Sequence, residues 1–402
     1  MPSSLESALN EALEEGQFVY YYQPKVCLQD GRLSGVEALL RWMKPCGTMV
    51  QPADFLPEAE SSGFIREISK GMLDRLLVDF VLIHELHPTL VLSFNLTAQD
   101  FDSSEIVDRL RRSIGSLCID PRYLQVELTE TSLIHSSPVV RENIHALVEM
   151  GIALAMDDFG TGYSTIDVLS QWPFSVVKIH QGLVERVLAC SKSMAIVKSC
   201  IYMAHQLGVK VVAEGIESAE VYDFLLHAGC TEGQGYWMGR PMPLDQLVEY
   251  LKQDHHWAGS PIGFIHMAQM DHLCWRRNFI EWVIARNFGR DPPSMGEWLH
   301  VSITEGECDL DRWYREQGRV FRGMAAYDAL DRPHRLFHAV CREIVEAVDK
   351  GANLAEIVDR LRHMMQWSGE VLTRLQELEL EALLARSQSA IGQAPSDLPP
   401  PV

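Results

Sequence analysis

Five short apolar runs in this chain each end on a residue suited to metal or phosphate chemistry. They are TLVLSFN at Asn95, RYLQVE at Glu127, GIALAMDD at Asp157 and Asp158, FSVVK at Lys178, and VKVVAE at Glu214. β-Branched and aromatic residues leading into a polar terminus are the pattern of a buried parallel strand whose end meets solvent. Stretches long enough for a crossover helix separate the runs. Strand and helix alternating this often predict an α/β fold, a TIM-like (β/α) barrel, whose polar termini collect on one rim at the C-terminal strand ends. Glu37, after RLSGV, joins the same ring.

Carboxylates and an amide oxygen converging on one rim repel one another unless divalent cations sit among them, and hard oxygen donors suit Mg²⁺ or Mn²⁺. Asp157 and Asp158 are neighbours at a strand end, where both side chains can turn toward the rim. One carboxylate can then bridge two ions about 3.5–4 Å apart. Such a pair suits phosphodiester hydrolysis. One ion makes hydroxide from water, both stabilise the transition state, and a lysine such as Lys178 orients the attacking water or offsets charge. Any one of these acidic residues has an ordinary alternative as a helix N-cap; the set carries the site.

Around these residues the sequence resembles the EAL domain phosphodiesterases, which hydrolyse the bacterial messenger cyclic di-GMP. The likeness covers about residues 5 to 252. It comprises YYYQPKV from Tyr20, GVEALLRW with Glu37, PADFLPEAE from Pro52, FNLT, VELTE, DDFGTGYST from Asp157, AEGIES, and GQGYWMGRPMP. The resemblance implies that Glu37, Asn95, Glu127 and Asp157 hold one metal, and Asp157 with Asp158 the second. It implies that Lys178 and Glu214 position the water, with Glu37 also in the catalytic set. Gln23, Arg41 and Gln234 would contact cyclic di-GMP, Arg41 because a guanidinium fork fits a phosphate. Glu130 and Glu217 would support the loop Phe159 to Thr165, and the product would be linear pGpG.

The chain departs from the family after Lys178, where the usual Lys-Ile-Asp reads Lys178, Ile179, His180. Two residues along a strand return to the same face, which places His180 near the site. Three readings stay open: an imidazole ligand that favours Mn²⁺ or a later transition metal, weaker binding of the second metal, or a receptor that binds without cutting.

With 402 residues, 47% of them hydrophobic, the chain is long enough for a second domain. The formal net charge of −20 opposes binding to long nucleic acid or an anionic membrane. The start MPSSLESALNEALEEGQ has no signal-like basic and apolar regions, and no run of about 18 apolar residues is found. Nine cysteines without regular pairing read as reduced thiols. These features predict a cytoplasmic protein.

The barrel pattern, assigned to residues 1–252, gives way to a linker at 253–263 containing Gly259, Pro261 and Gly263. Four segments with three- and four-residue apolar spacing then predict a helical bundle over 264–386, and the proline-rich end, 387–402, reads as a disordered tail. His334 and His338 stand four apart on one helical face. Together with His272 before Trp275 and Cys308 before Trp313, they resemble the chemoreceptor zinc-binding domain over about residues 265 to 350, with a longer insertion around Pro292 to Gly306. The resemblance implies a Zn²⁺ held by His272, Cys308, His334 and His338, which suits a borderline-soft ion and lowers the Cys308 pKa on binding.

Zinc that regulates the phosphodiesterase, directly or through Cys308 oxidation, and a permanently filled structural zinc are both open. The last helix places Val358, Leu361, Met365, Leu372, Leu375 and Leu378 on roughly heptad spacing, which fits a homodimer or packing within its own bundle. Three function classes follow: a cyclic di-GMP hydrolase, a non-catalytic receptor for that messenger, and a zinc-controlled interaction protein. No cyclase-type GG-D/E-EF motif is present.

Overall fold

The computed structural model describes residues 4–133, 137–160, 165–287 and 308–392. Four residues of the expected glycine loop, 161–164, and the insertion around Pro292 to Gly306 lie outside the described residues. The chain divides into two compact units, Met1–Ser260 and Pro261–Val402. Among the described residues no helix is long and apolar enough to cross a membrane.

The strands of the first unit are β1 (Phe18–Cys27), β2 (Leu33–Met43), β3 (Met49–Val50), β4 (Val91–Asn95), β5 (Leu124–Thr129), β6 (Ala153–Phe159), β7 (Val176–Ile179), β8 (Lys210–Ala213), β9 (Glu232–Gln234) and β10 (Met242–Pro243). Eight of them close into a barrel in the order β1, β2, β4, β5, β6, β7, β8, β9 and back to β1, with β3 and β10 attached outside. From β2 round to β9 the pairings are parallel, but β1 runs antiparallel to both of its ring neighbours. The barrel is therefore TIM-like with one reversed strand. The loop from Leu28 to Arg32 between β1 and β2 is too short for a crossover helix, so those strands pair as a hairpin.

Alternation along each strand separates two environments. On β5, Val126 and Leu128 face outward and pack with Phe80, Leu110 and Ile144 of the surrounding helices. The intervening residues, Gln125 and Glu127, turn into the barrel, where both are buried. Below the polar rim, Ala155, Val176 and Val212 form a small apolar plug. Crossover helices start and stop where local chemistry directs. Ser137 and Ser218 cap Pro138–Glu149 and Ala219–Ala228 by accepting backbone N–H bonds, and Gly229 ends the latter at φ 84°.

In the second unit the helices Ile262–Asn287, Asp331–Asp349 and Leu354–Gly392 carry most of the core. The second predicted helix is shorter than its sequence pattern. It stops at Arg315 and continues as a tight turn, Gln317–Phe321. Gly318 lies against Trp313, where an added Cβ would sit 3.0 Å from the Trp313 carbonyl oxygen, and Gly323 takes φ 89°. On the last helix Ile357, Met364, Val371, Leu375 and Leu378 are buried, whereas Val358 and Met365 are exposed. The inward stripe thus lies one position from the heptad set at its N-terminal end. The helix continues to Gly392, beyond Ser387; residues 393–402 lie outside the described residues.

Candidate active site

Lys178, on β7, is almost wholly buried, and its ammonium is surrounded by acids. Nζ lies 2.5 Å from Glu127, 2.8 Å from Glu214, 3.3 Å from Glu37 and 3.3 Å from Asp157. These carboxylates come from β5, the end of β8, β2 and β6, so the closed sheet itself fixes their convergence. Asn95 donates to Glu37 Oε1 at 3.1 Å, and Gln234 donates to Glu37 Oε2 at 2.7 Å and to Gln23 Oε1 at 3.0 Å. Gln234 Oε1 is buried without a hydrogen-bond partner among the described residues. Gln23 donates in turn to the Gly239 carbonyl at 3.0 Å.

Three groups that the sequence reading passed over brace this ring. Lys25, buried on β1, donates to Ser93 at 3.0 Å and lies 4.0 Å from Glu127, while Gln125 donates to Glu127 Oε1 at 3.2 Å. Their signal was available. Lys25 alternates with Gln23 and Gln125 with Glu127, so each shares a face with a residue already singled out.

Charge is not balanced by the protein. Burial drives Glu37 up to about 7, with Glu127 beside it adding to the effect. It drives Glu214 up to about 8 against the pull of Lys178, with Asp157 and Glu37 adding. Asp157 is raised too, by burial and its anionic neighbours. Burial also opposes ionisation of Glu127, but Lys178 and Lys25 outweigh it and hold that carboxyl below its usual range. The four carboxylates in turn keep Lys178 firmly protonated in spite of its burial. Two lysines cannot neutralise this many acids, and an all-oxygen donor set with excess negative charge fits hard divalent cations. Asp157, Asp158 and Glu214 each offer an oxygen within 4.8 Å of the others.

A cavity of about 770 Å³ opens over the ring, with Glu37, Asn95, Asp157, Lys178, Glu214 and Gln234 on one side and Leu39, Pro52, Leu56, Ile68 and Tyr236 among its other walls. Arg41 also lines it, half-buried, donating to its own neighbour's carbonyl at Leu40. Glu217 is exposed at the cavity wall, and Glu130 is buried at the start of the short helix Glu130–Leu133. Asp158 has a left-handed backbone, φ 59°, with its N–H donated to Asp157 Oδ1 at 2.9 Å. His180 Nε2 faces Asp158 Oδ1 at 3.8 Å, while His180 Nδ1 accepts from the Gly182 N–H at 3.1 Å.

The second unit holds a separate cluster. Ligand atoms of Cys308, Asp311, His334 and His338 lie within 4.8 Å of one another. His334 and His338 meet through Nε2 atoms 3.1 Å apart, and Cys308 Sγ lies 3.4 Å from His334 Nε2. Burial, with His334 beside it, drives His338 down to about 3, so it presents a neutral lone pair. Burial and Asp311 push the Cys308 thiol up. Neutral imidazoles and a thiol beside a carboxylate fit Zn²⁺. His272 lines the same small cavity, but its Nε2 is 2.9 Å from Ser368 Oγ, which also accepts from Arg276 at 3.0 Å. Asp311 was not anticipated. It stands three residues after Cys308 in the first turn of the helix Asp309–Arg315, the spacing that places it beside the thiol.

Fold and rim define a TIM-like barrel protein with a carboxylate-rich centre around a buried lysine. The EAL domain matches residues 6–241, and the chain belongs to the EAL domain family. The chemoreceptor zinc-binding domain matches residues 272–345. The bifunctional diguanylate cyclase/cyclic di-GMP phosphodiesterase MucR of Pseudomonas aeruginosa is 36% identical over 241 residues, 60% of this chain and 35% of that protein. The cyclic di-GMP phosphodiesterase RocR of the same organism is 34% identical over 238 residues, 59% of this chain and 61% of that protein. This chain thus spans less than two thirds of either relative. The solved structure of the PaMucR phosphodiesterase in a c-di-GMP complex superposes with a TM-score of 0.57 at 36% identity, covering 60% of this chain and 99% of that one.

Proposed function

We propose that the barrel hydrolyses cyclic di-GMP to linear pGpG with the help of Mg²⁺ or Mn²⁺. The observation that carries this reading is the buried Lys178 ring of Glu37, Glu127, Asp157 and Glu214 beneath a cavity of dinucleotide size. Glu37, Asn95, Glu127 and Asp157 would hold one ion and Asp157 with Asp158 the other, together supplying metal-activated hydroxide and positive charge at the phosphoryl oxygens.

The chain's own groups do the rest. Arg41 offers a fork for a phosphate, and Gln234, with Oε1 unpaired, offers an acceptor to the bound dinucleotide. Lys178 and Glu214, in contact at 2.8 Å, would hold the attacking water in line, with the Glu214 carboxylate as the group placed to take its proton once cations occupy the rim. Water oxygen bonds to phosphorus, the P–O3′ bond breaks, and the leaving oxygen is protonated to give the open dinucleotide. Incubating the protein with cyclic di-GMP and either metal, then separating products by chromatography, tests this directly. A Glu37→Gln variant that still made pGpG at the wild-type rate would remove Glu37 from the site. His180 favours a second reading, a receptor, in which cyclic di-GMP binds without turnover.

For the second unit we propose Zn²⁺ bound by Cys308, His334 and His338, with Asp311 or His272 as the fourth donor. The ion either tunes the barrel's turnover, alone or through oxidation of Cys308, or is purely structural. A cytoplasmic homodimer completes the proposal, and sedimentation of the zinc-loaded protein tests the dimer.

A further inference from the structure

We propose that His180 is a positioning residue that donates a hydrogen bond to Asp158, and that it is not a metal ligand. The inference rests on the reading of Asp157, Asp158 and Glu214 as a cation site. A neutral imidazole has one N–H and one lone pair, and its neighbours decide which nitrogen carries which. The Gly182 backbone amide can only donate, and it points at Nδ1 from 3.1 Å, capping the short helix Gln181–Val184. Nδ1 therefore holds the lone pair and Nε2 the proton.

That proton faces Asp158 Oδ1 at 3.8 Å, so a small side-chain adjustment brings it to hydrogen-bond distance. An N–H at Nε2 has nothing to give a cation and something to give a carboxylate. Glycine at 182 is part of the device, because a Cβ there would lie 3.1 Å from His180 Cε1 and 3.2 Å from Nδ1. The backbone reinforces it. His180 N donates to the Phe159 carbonyl at 3.4 Å, so ring and main chain both hold the segment Asp157–Phe159. An aspartate at 180 could accept from the Gly182 N–H as the ring does, but it has no N–H to give Asp158. The rim stays an all-oxygen site, which favours Mg²⁺ and Mn²⁺ over later transition metals.

The test uses full-length protein with its zinc site filled, titrated with Mn²⁺ and read by pulsed electron paramagnetic resonance and by ¹⁵N-histidine NMR, the His180 signal being assigned with the His180→Gln variant. The expected result is Mn²⁺ binding without a directly coordinated imidazole nitrogen, and His180 as the Nε2–H tautomer. His180→Ala should weaken Mn²⁺ about tenfold, as loss of a group that orients a metal ligand does, and His180→Gln, which keeps an N–H donor, should stay within about threefold of wild type. A coordinated nitrogen signal lost in His180→Gln, an Nδ1–H tautomer, or Gln as weak as Ala would each overturn the inference. Mn²⁺ binding that ignores Asp157→Asn would instead remove the cation site, and this inference with it.

Discussion

A lysine that touches four carboxylates in a buried ring ties the fold together and, in the proposed hydrolysis, would also serve the chemistry. Removing Lys178 by Lys178→Met should destabilise the metal-free protein by about 3–5 kcal/mol, because it leaves buried charges uncompensated. Denaturant titration reads this. The same variant should lose about 10²–10³ in turnover, the usual cost of deleting one group that offsets transition-state charge. The raised carboxylates set a pH dependence of definite sign. Glu37 and Glu214 bind protons more tightly folded, near 7 and 8, than unfolded. Their contribution to stability is complete below the ordinary carboxylate range near 4.5 and is lost as pH rises through about 7 to 8. Chelated protein should therefore lose part of its denaturant resistance between pH 5 and 8, and saturating Mg²⁺ should reduce that loss. Ring members were legible because each acid or lysine closes an apolar run. Lys25, Ser93 and Gln125 close no apolar run, and only their alternation with Gln23, Asn95 and Glu127 along the strands marks them. Asp311 escaped for a different reason: an acid in the first turn of a helix has an ordinary explanation in the helix dipole.

Element by element, the strands with continuous apolar runs were the readable ones. β9 is only Glu232–Gln234 and owes its place to pairing with β1 and β8, which no local pattern reveals. β1, with Pro24 in its middle, was visible as a motif, but its reversed direction follows from a five-residue connection to β2 that no periodicity expresses. In the bundle, Gly318 and Gly323 divide what the apolar spacing drew as one helix. The last helix also bears on metal affinity. Ser368, fully buried on it, accepts from Arg276 at 3.0 Å and lies 2.9 Å from His272 Nε2. Zn²⁺ would displace that contact if His272 were the fourth donor through Nε2. Ser368→Ala should then tighten zinc about 2- to 10-fold, the value of one hydrogen bond no longer broken on binding. Competition against a chromogenic chelator measures it, and an unchanged constant would give the fourth position to Asp311.

Over the whole molecule, a barrel that matches the EAL domain followed by a bundle that matches the chemoreceptor zinc-binding domain motivates the regulatory part of the proposal. Coupling needs two states that zinc binds unequally, worth about 1–3 kcal/mol for a typical effector. Turnover should change roughly 5- to 150-fold between zinc-loaded and chelated protein if zinc is an effector. Unchanged turnover with the bundle still folded, by circular dichroism, would leave zinc structural. The hydrolysis proposed for the barrel is tested most directly by incubating zinc-loaded protein with cyclic di-GMP and Mg²⁺ or Mn²⁺ and resolving the products by chromatography. Linear pGpG that forms only with added divalent metal and disappears in Glu37→Gln is the predicted result. Cyclic di-GMP bound in the calorimeter yet recovered intact under every metal condition would contradict hydrolysis and make the barrel a receptor.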